Sequence, residues 1–97
     1  MFSSTQYTNG INYSLDQFIL EPGKRSKLHK MTSEIYYILE GSGKIMIEGN
    51  TYTLEKDDSV YVAPNSKQHI ENTGLGNLRF LCIVEPAWKT GSEILLE

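Results

Sequence analysis

The chain has 97 residues and a mass of 11.0 kDa, a length that allows one hydrophobic core and excludes a second domain. Its net charge of −3 and pI near 5.3 argue against a surface built for nucleic acid, which needs clustered Lys and Arg to displace counterions from phosphates. The single cysteine, Cys82, cannot form an internal disulfide, and with no apolar leader and no long apolar run the sequence supports neither a signal peptide nor a membrane helix, leaving the cytoplasm as the expected location.

In chain order, the polar residues 1–12 are expected to form a flexible arm or an edge strand. Glycines and prolines then recur at intervals too short for ordinary helices. The segments between them, residues 14–20, 26–30, 34–39, 44–48, 51–54, 59–62, 68–72 and 78–84, are rich in Ile, Val, Tyr, Phe or Thr and predict strands. The sharpest hairpin is 44–54, where Ile45, Ile47, Tyr52 and Leu54 alternate with polar residues across Glu48-Gly49-Asn50. Turns follow at 56–59 and 63–66. Pro86-Ala87-Trp88 ends the last strand, and Trp88 is expected to cover apolar surface or line a pocket mouth. The tail 89–97 closes on Ile94-Leu95-Leu96, and these three with Phe2 and Trp88 predict a homodimer seam.

Two segments carry chemistry. In residues 22–41, PGKRSKLHKMTSEIYYILEG, one histidine and one carboxylate, His29 and Glu34, precede Gly41 on strand-like sequence. In residues 58–72, DSVYVAPNSKQHIEN, a proline and a turn lead to Gln68, His69 and Asn72. These segments resemble the first and second motifs of the cupin superfamily, and the resemblance spans about residues 14–88. It implies an all-β, cupin-type double-stranded β-helix (jelly-roll) barrel with residues 1–97 as a single cupin domain. Family members often hold a divalent metal with an H-x-H pair, a glutamate and a later histidine. Here the resemblance puts Gln68 in the later histidine's position, so the implied set is His29, Glu34 and Gln68, for Zn, Fe, Mn or Ni. The missing histidine is replaced by Lys27 or by Met31, depending on which end of the motif sets the register. Asp57, Ala63 and Asn65 also depart from the family's glycine, proline and glycine.

Strand alternation constrains both motifs. Lys27, His29 and Met31 share one face, while Gln68 and Ile70 face inward and His69 outward. Three functions follow from the resemblance. The first is a protein that binds a metal, a small polar metabolite or both in the barrel pocket. The second is a metal-free isomerase, epimerase or dehydratase with His29 as base, Tyr36 or Tyr61 as acid and Lys27 gripping an anion. The third is a non-catalytic binding module. Plainer readings stand beside these: Tyr36, Tyr37 and Tyr61 as wall residues, Cys82 as a small buried hydrophobe, Glu34 as the ion-pair partner of Lys27, and Lys24, Arg25, Lys27 and Lys30 as a solvated strand edge.

Overall fold

A computed structural model describes the main chain of residues 2–6 and all of residues 13–85, 91 and 93–97. The strands are β1 (Phe2–Gln6), β2 (Ser14–Leu20), β3 (His29–Lys30), β4 (Ser33–Glu40), β5 (Gly43–Ile47), β6 (Asn50–Leu54), β7 (Ser59–Val62), β8 (Gln68–Asn72), β9 (Leu78–Glu85) and β10 (Ile94–Leu95). They form two five-stranded antiparallel sheets, ordered β1-β2-β9-β4-β7 and β10-β3-β8-β5-β6. This is the expected all-β jelly roll. No helix among the described residues is long and apolar enough to cross a membrane.

The expected strands appear within a residue or two, with one instructive exception. Residues 26–28 do not join β3, because Ser26 uses its side chain in place of the ladder. Its main-chain N–H donates to the Ile70 carbonyl at 2.8 Å, while its hydroxyl oxygen accepts the Ile70 N–H at 2.9 Å. The first residues resolve as the edge strand β1, paired with β2 from Phe2 opposite Phe18 to Gln6 opposite Ser14. Pro86, Ala87 and Trp88 lie outside the described residues, as does the side chain of Phe2.

Turn chemistry explains the departures from glycine. The β5–β6 hairpin closes on Glu48 and Gly49, with φ of 49° and 82°. Glu48 tolerates that conformation because its N–H donates to the Lys67 carbonyl and its carboxylate accepts the Lys67 N–H at 2.7 Å. Asp57 and Asn65 have φ of 73° and 63°. Asp and Asn are the non-glycine residues that enter the left-handed region most readily, so each does there what glycine would do.

The core between the sheets is built from inward-facing residues of alternating strands. Ile38, Ile45, Leu54, Val62, Ile70 and Leu78 are fully enclosed, each contributing roughly 1.5–3 kcal/mol of burial. Asn72 fastens one end of the barrel: its amide donates to the carbonyls of Leu20 and Gly76, both at 2.8 Å, and its oxygen accepts the Gly74 N–H at 2.9 Å. Replacing Asn72 by Ala removes all three bonds at a buried site. The Asn72→Ala variant should lose about 2–4 kcal/mol of stability, read as a lower urea midpoint with an unchanged slope.

Candidate functional site

A cavity of about 230 Å³ opens between the sheets. Its inner end is lined by the buried Tyr36 of β4, Ile70 of β8 and Phe80 and Cys82 of β9, with Phe18 of β2 beside them. Lys27, Glu93 and Leu95, all solvent-exposed, lie at its open side with His29. The wall is mostly apolar, and the polar groups cluster where β3 and the chain's last segment meet. This volume is below the roughly 300–1,000 Å³ of pockets that take drug-sized ligands. It suits a metabolite of a few heavy atoms.

His29 is 6% exposed, and its Nδ1 lies 2.7 Å from the Lys27 carbonyl. A carbonyl only accepts, so Nδ1 is the donor in this bond, and the ring nitrogen that remains for other partners is Nε2. Glu93 Oε2 stands 3.9 Å from that nitrogen. Gln68 is the cross-strand partner of His29 and is completely buried. His69, one residue on, is half-buried on the opposite face, so the alternation argument holds. Of the two residues expected beside His29, Lys27 lines the cavity, whereas Met31 is buried and is not part of its lining.

Glu34 is 5% exposed, and its Oε1 is buried without a hydrogen-bond partner among the described residues. Burial raises its pKa above the ordinary carboxylate value, while Cys82, His29, Tyr36 and Gln68 pull it partly back. Tyr36 donates its hydroxyl proton to Gln68 Oε1 at 2.6 Å, and Gln68 Nε2 has no hydrogen-bond partner among the described residues. Burial, with the Glu34 carboxylate nearby, pushes the Tyr36 phenol well above 10. The same two causes push the Cys82 thiol well up, which makes Cys82 an inert wall residue.

The structure brings His29, Glu34 and Gln68 together: His29 pairs with Gln68 across β3 and β8, and both act on the Glu34 carboxyl. His29 and Glu34 supply one imidazole and one carboxylate, and the amide oxygen of Gln68 already accepts the Tyr36 proton. No group of three or more His, Cys, Asp or Glu side chains is placed to hold an ion among the described residues. Neither Glu34 nor Gln68 lines the cavity; both sit in the protein beside it. Tyr61 is elsewhere: it is 62% exposed on the outer face of β7 and cannot serve this cavity as an acid. No ion pair joins Glu34 to Lys27 among the described residues.

Alternation in the sequence gave no warning of the last segment's part in the site. Glu93 and Leu95 reach the cavity because β10 adds to the edge of β3, with Leu95 opposite His29. Glu97 clamps this segment: its carboxylate accepts Arg25 Nη1 and Nη2 at 2.7 and 3.0 Å and the Leu28 N–H at 2.6 Å. Arg25 and then the Leu28 N–H hold the Glu97 pKa down at about 2. A depressed carboxylate stabilises the fold fully above its ordinary value of 4.5 and loses that contribution progressively as pH falls from there through about 2. The clamp therefore persists at neutral pH.

The cupin-domain family pattern matches residues 17–84, from the middle of β2 to the penultimate residue of β9. This chain belongs to the cupin family. An uncharacterised protein of Methanocaldococcus jannaschii is 34% identical over 90 residues, covering 91% of this chain and 72% of that one. An oxalate-binding protein of Thermotoga maritima is 36% identical over 67 residues, covering 67% of this chain and 55% of that one. A crystal structure of a cupin-2 domain protein from Rhodospirillum rubrum superposes with a TM-score of 0.84 at 23% identity, covering 99% of this cupin and 64% of that chain. The cupin thus spans less than two thirds of the last two proteins.

Glu34 gives a pH dependence of definite sign. Its folded-state pKa is raised, so its contribution to stability is complete below about 4.5 and is lost as pH rises through the folded-state value. Glu34→Gln keeps the shape and removes the charge. Urea midpoints measured from pH 5 to pH 8 should decline for the native chain and decline less for Glu34→Gln, which should be the more stable of the two at pH 8.

Proposed function

We propose that this cupin binds a small metabolite that carries a carboxylate on an apolar body, in the barrel cavity and without an ion. The observation that carries this reading is the arrangement of donors around the apolar walls. The Lys27 ammonium and the Ser26 hydroxyl, whose oxygen already accepts the Ile70 N–H and whose proton is therefore available, lie at the same side as His29. Phe18, Ile70, Phe80 and Leu95 offer surface for the body of the ligand. Charge-assisted hydrogen bonds from Lys and a hydroxyl suit a carboxylate oxygen.

The Thermotoga relative is named for oxalate, which supports a carboxylate as the recognised group. Oxalate itself has no apolar part, and four apolar side chains would gain nothing from it. A ligand of three to six carbons fits better. Acid–base isomerisation is the weaker reading here, because it needs a proton donor opposite His29. Tyr36 has a phenol raised well above 10 and already gives its proton to Gln68, and Tyr61 is on the outside.

Calorimetric titration with a series of two- to six-carbon mono- and dicarboxylates, oxalate included, tests this. Affinity should rise with apolar length, and Lys27→Ala should weaken the best ligand about tenfold, close to 1.4 kcal/mol. Unchanged affinity in Lys27→Ala, or no binding across the series, would sink the proposal. Metal analysis of protein purified without chelator is the control. A transition metal present in stoichiometric amount and lost in His29→Ala would replace this reading with an ion-centred one.

A further inference from the structure

The open side of the cavity carries two opposite charges that do not meet. Lys27 and Glu93 both line it, and no ion pair joins them among the described residues. Their placement follows from the pairing of β10 with β3. Leu95 lies opposite His29 in that antiparallel pair, so Glu93, two residues before Leu95, falls on one side of His29, and Lys27, two residues before His29, falls on the other. The Glu93 carboxylate stands 3.9 Å from His29 Nε2, too far for a hydrogen bond, and it accepts none from the described residues. Arg25 is committed to Glu97, which clamps the segment that carries Glu93.

We infer that the ligand of this cavity is a small apolar α-amino acid in its zwitterionic form, with its carboxylate held by Lys27 and Ser26 and its ammonium by Glu93. The inference rests on the reading of the cavity as a carboxylate site, and it names the second charged group. A carboxylate bound alone would bring a negative charge to the mouth that Glu93 shares, and like charges a few ångströms apart repel. An ammonium on the same ligand reverses the sign of that interaction. It also donates to a carboxylate that has no other partner among the described residues, and such charge-assisted bonds are the stronger kind.

The walls decide where on the ligand the ammonium sits. Beyond the mouth the lining is Phe18, Tyr36, Ile70, Phe80 and Cys82, against which a second charge would lose its water without gaining a counter-ion. The Glu34 carboxyl behind that wall does not line the cavity, and burial favours its protonated form. Both charges therefore stay at the mouth, on one carbon, while the apolar chain points inward. That is the layout of an α-amino acid, and it excludes an amine at the far end of the chain. A volume of about 230 Å³ holds roughly eight water-sized groups at about 30 Å³ each, enough for a branched side chain of three or four carbons below the charged groups.

Calorimetric titration of the full chain with L-leucine, isocaproate and isoamylamine separates the two charged groups, since isocaproate is leucine without the ammonium and isoamylamine is leucine without the carboxylate. Leucine should bind at least about tenfold more tightly than either, the worth of one hydrogen bond to a charged group. Glu93→Gln should weaken leucine about tenfold while leaving isocaproate unchanged or tighter, and Lys27→Ala should weaken both carboxylates alike. Both residues are exposed, and an unchanged circular dichroism spectrum checks that neither substitution disturbs the fold. Isocaproate that binds as tightly as leucine, and loses affinity in Lys27→Ala, would overturn the amino-acid inference and leave the carboxylate reading standing. So would leucine binding that is indifferent to Glu93→Gln. No binding by either carboxylate, or binding that Lys27→Ala leaves intact, would overturn both.

Discussion

The pairing of β9 between β2 and β4 is the constraint on which the rest of this molecule rests. The strand is in register with β2 from Leu78 to Val84 and with β4 from Arg79 to Glu85, apart from one bulge near Glu40. Alternation then assigns every side chain. Leu78, Phe80, Cys82 and Val84 face in, where Leu78 and Val84 close the core and Phe80 and Cys82 line the cavity. Leu81 and Ile83 face out and form part of the outer face. A one-residue slip would exchange these sets, put Arg79 and Glu85 into the barrel and cost several kcal/mol for each buried charge. The same register therefore protects the core, shapes the cavity and composes the outer face.

Inside that frame the polar residues are arranged around a carboxyl group that burial penalises. Glu34 sits where water is scarce, with one oxygen unpartnered among the described residues, and its neighbours are a thiol, the His29 imidazole, a phenol and an amide, with no Lys or Arg among them. Such surroundings favour the protonated acid over the carboxylate. Gln68, in the position where the family carries a histidine, is consistent with this. A neutral amide can accept the Tyr36 proton and remain fully buried, whereas a second imidazole there would add a titrating group beside the Glu34 carboxyl. The outcome is a hydrogen-bonded interior of low charge, and the charged groups that could hold a ligand lie at the cavity's open side.

Much of the fold was legible because its signals are local. The glycine and proline punctuation, the 44–54 hairpin and the Gln68/His69 parity each depend on a few adjacent residues, and each reappears in the structure. Asp57 and Asn65, which look like defects in the family pattern, turn out to be the two residues able to replace glycine at positive φ. The site was legible only in part, since a cavity is made by elements far apart in the chain. Nothing near Glu93 or Leu95 foretells that β10 will add to β3 and bring them to His29. Tyr61 is different: Val60 and Val62 are the apolar members of Ser59-Val60-Tyr61-Val62, so alternation within that one strand already pointed Tyr61 outward. Its aromatic character suggested a site, and its position in the alternation argued against one.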